Sequence, residues 1–347
     1  MELTENLNIV RFKPLLTPDQ LKEKYPLGDQ TAHLVAQSRR IVQAVLTNND
    51  GRKIVITGPC SLHDKVAALE YASKLKDLQS KISDKVLIIM RTYFEKPRTT
   101  VGWKGMIYDP YLDGSYDIEE GFLRARDILL EVGKIGLPCA TEFLDPIVPQ
   151  YLADLISWAS IGARTTESQI HRQMASGLSM PIGFKNSTDG NLTASVDAIK
   201  SASSPHSFMG ISKSGQVIIA ETSGNKFGHL VMRGGTDCPN YGEEYVAFAR
   251  VLLKKAKINT GIIIDCSHAN SDKDCRRQRI ALLDTAEQIK KGTSVISGIM
   301  LESFLVEGSQ KPGKAETLVY GQSLTDECIG WEETDELIRT FADAVKA

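Results

Sequence analysis

The residues of this chain that could do chemistry recur at one kind of place, the end of a short apolar run. Residues 54–56 (Ile-Val-Ile) lead into Gly58, Pro59 and Cys60, residues 86–90 into Arg91, residues 139–141 into Glu142 and residues 158–163 into Arg164. Residues 181–184 lead into Lys185, 230–232 into Arg233, 262–264 into Asp265 and then His268, and 299–301 into Glu302. Cys60, His268 and Glu302, with Asp326 further on, offer a thiol, an imidazole and two carboxylates. Such a set suits a borderline divalent ion (Mn2+, Fe2+, Co2+ or Zn2+) better than Mg2+, because of the thiolate. The spacing is not that of a local zinc motif. Each residue taken singly also fits a buried cysteine or a capping histidine; the shared position favours ligation.

Arg91, Arg164, Lys185 and Arg233 end four further runs, with only Glu142 to oppose them. Cations gathered in one poorly hydrated mouth are costly without an anionic ligand. Guanidinium forks fit phosphate and carboxylate oxygens. A small, doubly anionic substrate is therefore expected beside the metal. Lys96-Pro97-Arg98-Thr99-Thr100 adds a proline-stiffened turn that reads either as a second phosphate clamp or as a solvated basic loop.

The apolar runs alternate with helical patterns over residues 67–82, 118–132, 145–155, 167–176, 193–201, 243–257, 276–290 and 333–345. Eight strands separated by helices predict an α/β fold, a (β/α)8 TIM barrel, whose chemistry sits at the C-terminal ends of its strands. Two segments interrupt the alternation. Residues 91–121 form a long polar loop containing Trp103, of a length usually reserved for function. Residues of about 207–223 read as an inserted β-hairpin turning at Lys213-Ser214-Gly215. Residues 1–50 form an N-terminal extension before the catalytic barrel of 51–347. It holds a possible edge strand over 8–12, a helix start at Thr17-Pro18-Asp19-Gln20 and a helix over 31–46. The extension is expected to close the barrel bottom, make an oligomer contact or carry regulation.

Lysine plus arginine number 41 and aspartate plus glutamate 43, a net charge of −2. No global basic field exists to hold nucleic acid or an anionic membrane. No apolar run is long enough to span a bilayer, and the first residues lack the regions of a signal peptide. Six cysteines are too few for a disulfide scaffold, so reduced thiols in a cytoplasmic protein are expected.

Several longer motifs carry a resemblance. Gly58-Pro59-Cys60-Ser61, the stretch from Tyr93 through Lys96-Pro97-Arg98-Thr99 to Gly105, Gly162-Ala163-Arg164-Thr165 and Gly183-Phe184-Lys185-Asn186 closely resemble the type I 3-deoxy-D-arabino-heptulosonate 7-phosphate (DAHP) synthases. So do Met232-Arg233-Gly234-Gly235, Asp265-Cys266-Ser267-His268-Ala269-Asn270 and Leu324-Thr325-Asp326. The resemblance runs from about residue 8 to the C-terminus. It implies condensation of phosphoenolpyruvate with erythrose 4-phosphate, the first step of the shikimate pathway. It further implies that Cys60, His268, Glu302 and Asp326 hold the divalent metal. Arg164 and Arg233 would then grip the phosphate of phosphoenolpyruvate, and Arg91 and Lys185 its carboxylate. Lys96 would reach between the substrates, Arg98 and Thr99 would bind the sugar phosphate, and Glu142 would lie near the reacting carbons. The chain departs from the family at Ser187, where glycine is usual, and at Thr236-Asp237-Cys238, one residue longer than usual.

Relatives with such an extension and hairpin are commonly inhibited by an aromatic amino acid and assemble as homodimers or homotetramers. The positions matching their inhibitor pocket are Pro149, Gln150, Ser179, Phe208 and Gly210. Glycine rather than serine at 210 leaves room for a phenol hydroxyl, so tyrosine is the expected inhibitor and tryptophan the alternative. Two other readings compete. One is a related phosphoenolpyruvate aldol enzyme taking arabinose 5-phosphate; the other is a non-catalytic barrel that senses aromatic amino acids. Lys185 alone would also fit a Schiff-base aldolase.

Overall fold

The computed structural model describes residues 4–346. In chain order the elements are α1 (Pro18–Lys24), α2 (Asp29–Leu46), β1 (Lys53–Gly58), α3 (Lys65–Ile82), β2 (Val86–Arg91), α4 (Ile118–Ile135), β3 (Cys139–Glu142), α5 (Val148–Leu152), β4 (Ile156–Ile161), α6 (Gln169–Gly177), β5 (Ile182–Lys185), α7 (Leu192–Ala202), β6 (His206–Ile211), β7 (Val217–Thr222), β8 (Gly228–Met232), α8 (Glu243–Lys255), β9 (Ile262–Asp265), α9 (Gln278–Lys290), β10 (Ile296–Glu302) and α10 (Trp331–Ala344). Eight parallel strands close into a barrel in the order β1-β2-β3-β4-β5-β8-β9-β10, and β10 returns to β1. The remaining pair, β6 and β7, is an antiparallel hairpin inserted before β8. The fold is the (β/α)8 barrel that the sequence pattern predicts.

Alternation along each strand sorts side chains between two cores. Ile54, Ile56, Leu87, Ile89, Trp158, Val231, Ile263 and Met300 fill the barrel, where Val42, Val45 and Leu46 of α2 join them. Val55, Ile88, Met90, Ile262 and Ile264 face the surrounding helices. The end of α2 thus closes the N-terminal mouth of the barrel, and Gly261 N donates to Leu46 O at 2.8 Å. On the flank, Asp19 N at the start of α1 donates to Lys213 O in the hairpin turn (2.9 Å).

Some boundaries differ from the sequence reading. Residues 8–12 form no strand and lie exposed; the closed barrel has no free edge, and they do not pair with the β6–β7 hairpin. The helix expected over 145–155 contracts to the short α5 and a 3-10 turn at Ala153–Leu155. The helix expected from residue 276 begins as a 3-10 turn at Cys275–Arg277, capped by Asp274.

Inside the barrel Trp158 is fully buried, and its Nε1 donates to Nε2 of the equally buried His229 at 2.9 Å. Nδ1 of His229 lies 3.0 Å from Phe227 O, to which it donates. Gly183 on the neighbouring strand makes room, since a Cβ there would meet Trp158 at 2.5 Å. With both ring nitrogens engaged, a second proton on His229 has no acceptor. Burial accordingly lowers its pKa from 6.5 to about 4. In the unfolded chain His229 takes a proton below pH 6.5, whereas in the folded chain it does so only below about 4. The folded state therefore loses stability as pH falls through that window, by up to about 1.4 kcal/mol per unit. His229→Gln should flatten this slope relative to the parent in urea titrations at a series of pH values; equal slopes would contradict the assignment.

Candidate functional site

Each barrel strand delivers a polar side chain to the same rim. Cys60 follows β1, Arg91 ends β2, Glu142 ends β3, Arg164 follows β4, Lys185 ends β5, Arg233 follows β8, Asp265 ends β9 and Glu302 ends β10. They surround a cavity of about 450 Å3, the size of a small-molecule site. Lys96, Arg98, Thr99, Glu142, Arg164, Lys185, Arg233, His268, Glu302 and Asp326 line it. Cys60 and Arg91 stand behind that lining, fully buried.

The buried charges are interlocked. Arg91 Nη2 lies 2.9 Å from Glu302 Oε1, its Nη1 is 2.8 Å from Met300 Sδ, and its guanidinium stacks 4.0 Å over the Tyr93 ring. Lys185 Nζ lies 3.4 Å from Glu142 Oε2 and 3.5 Å from Asp265 Oδ2. Lys96 Nζ donates to Cys60 Sγ at 3.0 Å and to Cys60 O at 3.1 Å. Burial alone would raise the pKa of Glu142, but Lys185 and Lys96 hold it below the usual carboxylate range. Burial likewise works against a charged Lys185, and Tyr93, Glu142 and Asp265 more than offset it, so this ammonium is held harder than usual.

This pairing corrects the charge balance expected from sequence. Arg91 and Lys185 already face Glu302, Glu142 and Asp265. Lys96 is held by hydrogen bonds to Cys60, and the unspent guanidinium charge lies on Arg98, Arg164 and Arg233, which form no salt bridge among the described residues. Arg164 is exposed at the mouth, with Nη2 3.3 Å from Thr99 Oγ1. Arg98 is steadied within the long loop by donation from Nε to Trp103 O at 2.7 Å, and Lys96, Pro97, Arg98 and Thr99 of that loop line the cavity. The surplus therefore faces the space where a ligand would sit.

Donor atoms of Cys60, Glu302 and Asp326 lie within 4.8 Å of one another. Cys60 Sγ is 3.4 Å from Asp326 Oδ2, and His268 Nε2 is 3.7 Å from Glu302 Oε1. Donors about 3.4–3.6 Å apart are what a four-coordinate ion requires. The residues present fit a divalent metal with one thiolate, two carboxylates and an imidazole, the imidazole standing slightly outside the other three. Burial and the neighbouring Glu302 push the Cys60 thiol up to about 12, although Lys96 opposes them. A dication reverses that balance, because a coordinating thiol is deprotonated.

Both sequence departures fold without disturbing the rim. Ser187 Oγ donates to Asp189 Oδ1 (2.5 Å), and no positive φ is needed at this position. The longer link closes through Gly235 N to Cys238 O (2.9 Å) and is tied by Thr236 Oγ1 to Thr188 O (3.1 Å). The five positions expected to bind an inhibitor lie elsewhere. Pro149 and Gln150 are in α5, Ser179 follows α6, and Phe208 and Gly210 are on β6. The hairpin packs on α6, α5 packs on α1, and Tyr151 Oη donates to Leu16 O (2.8 Å).

Sequence reasoning assigned no role to Asp265, Ser267 or Tyr93. Asp265 gave the same signal as Glu142, an acid ending an apolar strand, but His268 three residues on drew the assignment. Tyr93 gave no signal, because its part is a ring face: the Nζ atoms of Lys96 and Lys185 each lie 5.8 Å from its centroid.

A (β/α)8 barrel with a cationic mouth beside a cluster that fits a divalent metal has the layout of an enzyme site at the C-terminal ends of the strands. Comparison with known proteins gives the family. The profile of the DAHP synthetase I family matches residues 28–339. The Phe-sensitive phospho-2-dehydro-3-deoxyheptonate aldolase of Escherichia coli K12 is 50% identical over 343 residues, 99% of this chain and 98% of the relative. The Trp-sensitive enzyme of Enterobacter agglomerans is 49% identical over 345 residues, 99% of each chain. The structure of phospho-2-dehydro-3-deoxyheptonate aldolase from Francisella tularensis SCHU S4 superposes with a TM-score of 0.96 at 50% identity, covering 97% of this chain and 98% of that one. The chain belongs to the DAHP synthetase I family. Its activity is DAHP synthesis, the entry step of aromatic biosynthesis.

Removing Arg91 isolates a buried carboxylate, which typically costs 3–5 kcal/mol. Arg91→Leu should therefore destabilise the metal-free protein by about that amount. Mn2+ should recover part of the loss by supplying the missing positive charge. Urea denaturation with and without Mn2+ checks this; an unchanged midpoint in the metal-free variant would be inconsistent with the pair.

Proposed function

We propose that the protein condenses phosphoenolpyruvate with D-erythrose 4-phosphate and water to give DAHP and inorganic phosphate, using one divalent metal held by Cys60, His268, Glu302 and Asp326. The observation that carries this reading is the unpaired guanidinium trio Arg98, Arg164 and Arg233 around a cavity also lined by His268, Glu302 and Asp326, with Cys60 buried behind the last two. Two phosphorylated substrates repel one another, and fixed cations on either side offset that repulsion while aligning them. The metal, when bound, polarises the sugar aldehyde as a Lewis acid. Mn2+, Fe2+, Co2+ and Zn2+ all suit a mixed thiolate and carboxylate set.

The chain's own residues do the rest. Arg164 and Arg233 hold the enol phosphate. Lys185 reaches the carboxylate of phosphoenolpyruvate, and Arg91 adds positive potential from behind the wall. Arg98 and Thr99 take the sugar phosphate, and Lys96 lies between the two sites. C3 of the enol attacks the aldehyde, water captures C2, and the resulting hemiketal phosphate loses phosphate by C–O cleavage. Glu142, kept ionised by Lys185 and Lys96, accepts a hydrogen bond from that water. A Schiff base at Lys185 is disfavoured: its ammonium is paired with two carboxylates and its pKa is raised.

Residues 1–50 and the hairpin carry regulation in this reading. Pro149, Gln150, Ser179, Phe208 and Gly210 would bind an aromatic amino acid, in keeping with relatives named for sensitivity to phenylalanine, tryptophan or tyrosine. A Cβ at Gly210 would sit 3.8 Å from Phe208 and 3.9 Å from Ala220, so its absence leaves usable space; tyrosine is favoured, tryptophan next. Copies would associate as a homodimer or homotetramer, for which the apolar outer face of the hairpin (Met209 85%, Val217 79%, Ile219 75% exposed) offers a surface. Among the described residues no helix is long and apolar enough to cross a membrane, and the six cysteines are unbonded; both accord with a cytoplasmic enzyme.

A sugar-phosphate panel read by phosphate release tests the substrate. Erythrose 4-phosphate should turn over and arabinose 5-phosphate should not; the reverse would make the protein the other aldol enzyme. His268→Ala should weaken metal binding and abolish turnover with the fold intact, and near-normal turnover would remove the imidazole from the mechanism. Activity measured with each aromatic amino acid should fall most with tyrosine; inhibition by phenylalanine alone would defeat the argument from Gly210.

A further inference from the structure

The acid at the end of β9 has no part in the scheme above, yet it is as enclosed as any group at the rim. Asp265 is fully buried. Its Oδ1 accepts from Ser267 N at 3.1 Å and from Ser267 Oγ at 2.7 Å. Its Oδ2 makes no hydrogen bond, although His268 Nδ1 stands 3.0 Å away and Lys185 Nζ 3.5 Å away. A buried carboxylate oxygen without a hydrogen bond is costly and calls for an explanation. Two cationic or proton-bearing nitrogens facing it supply one.

The ring it faces is held in an unusual way. His268 has φ +58°, a left-handed conformation that side chains rarely adopt. The backbone is pinned there by Lys273 N to His268 O at 2.8 Å, while Asn270 Nδ2 donates to Asp265 O at 2.8 Å. This turns the imidazole back over the strand end. Its Nδ1 then lies 2.7 Å from Ser267 Oγ, and its Nε2 points towards Glu302. Ser267 has one hydroxyl proton, and Asp265 Oδ1 takes it. The serine oxygen must then accept at its other side, so Nδ1 carries the proton and Nε2 keeps its lone pair.

We propose that Asp265, acting through Ser267, is a positioning residue that fixes His268 in the orientation and tautomer able to bind the divalent ion through Nε2. The inference rests on the metal reading above. Partners of this kind typically change metal affinity by 10–100-fold when removed. Asp265→Asn presents an amide that can donate to the serine or the ring, which removes the preference for Nδ1–H. Ser267→Ala breaks the relay while keeping the carboxylate.

The test is direct Mn2+ binding to the full-length, metal-free protein by equilibrium dialysis, without substrates, beside thermal unfolding of each variant. Asp265→Asn should bind Mn2+ about 10–100-fold more weakly with a melting temperature close to the parent's. Ser267→Ala should weaken binding in the same sense, and it keeps the question open to test if Asp265→Asn fails to fold. With Co2+ in place of Mn2+, the thiolate-to-metal absorption should survive in both variants while the ligand-field bands change, because Cys60 remains and the imidazole leaves. Parental affinity in both variants would overturn the proposal, as would affinity and melting temperature falling together, which is a purely structural role. His268→Ala run in parallel separates the two levels. If it binds Mn2+ as the parent does, the metal reading itself is wrong and the inference falls with it. If it binds weakly while Asp265→Asn and Ser267→Ala bind normally, only the inference fails.

Discussion

The ion pair between Arg91 and Glu302, sealed between two neighbours of β1, is the constraint on which the rest of the site depends. Both side chains are essentially without solvent exposure, so neither tolerates loss of the other. Glu302 in turn faces His268, and Arg91 lies on the ring of Tyr93, which also faces Lys96 and Lys185. Buried cations at this rim thus stand against buried carboxylates rather than against water. The local field in this protein is an arrangement of fixed charges whose net formal value over the whole chain is only −2.

Depth in the barrel divides the cations by task. Those deep in the barrel, Arg91 and Lys185, are committed to carboxylates and set the field. Those nearer the opening, Arg98, Arg164 and Arg233, have no anionic partner among the described residues and are available to a ligand. Burial lowers the pKa of Arg233, with Arg164 adding to the effect and Asp265 opposing it, the expected response of a cation held ready for an anion. A site built this way concentrates positive charge at its mouth without a strongly basic surface.

Much of this was legible in the sequence because a parallel barrel translates strand order into spatial order. Once eight runs were seen to end in polar residues, Cys60, Glu142, Lys185, Arg233 and Glu302 had to share a rim. The hairpin was legible from its turn, and the helices from their period. What stayed hidden depended on side-chain direction. Arg91 and Arg164 both follow apolar runs, but one points into the wall and the other into the mouth. Asp265 and His268 are three residues apart in a turn with positive φ, which no periodicity reveals. Residues 8–12 have an apolar run suited to a strand, but it pairs neither with the closed barrel nor with the β6–β7 hairpin.

The closure of the barrel carries a consequence for how the protein comes into being. β1 pairs with β10, and Cys60 meets Asp326 across 266 positions of sequence. During synthesis the thiol leaves the ribosome long before its carboxylate partners are made, and domains are completed only as their last segments emerge. A nascent or truncated polypeptide lacking the final strand has an open sheet, an exposed Cys60 and no complete coordination shell. Under the proposed ligand set, metal loading would be confined to finished molecules, and a translation product cut short before Glu302 would be a misfolding hazard for proteases to clear rather than an impaired catalyst.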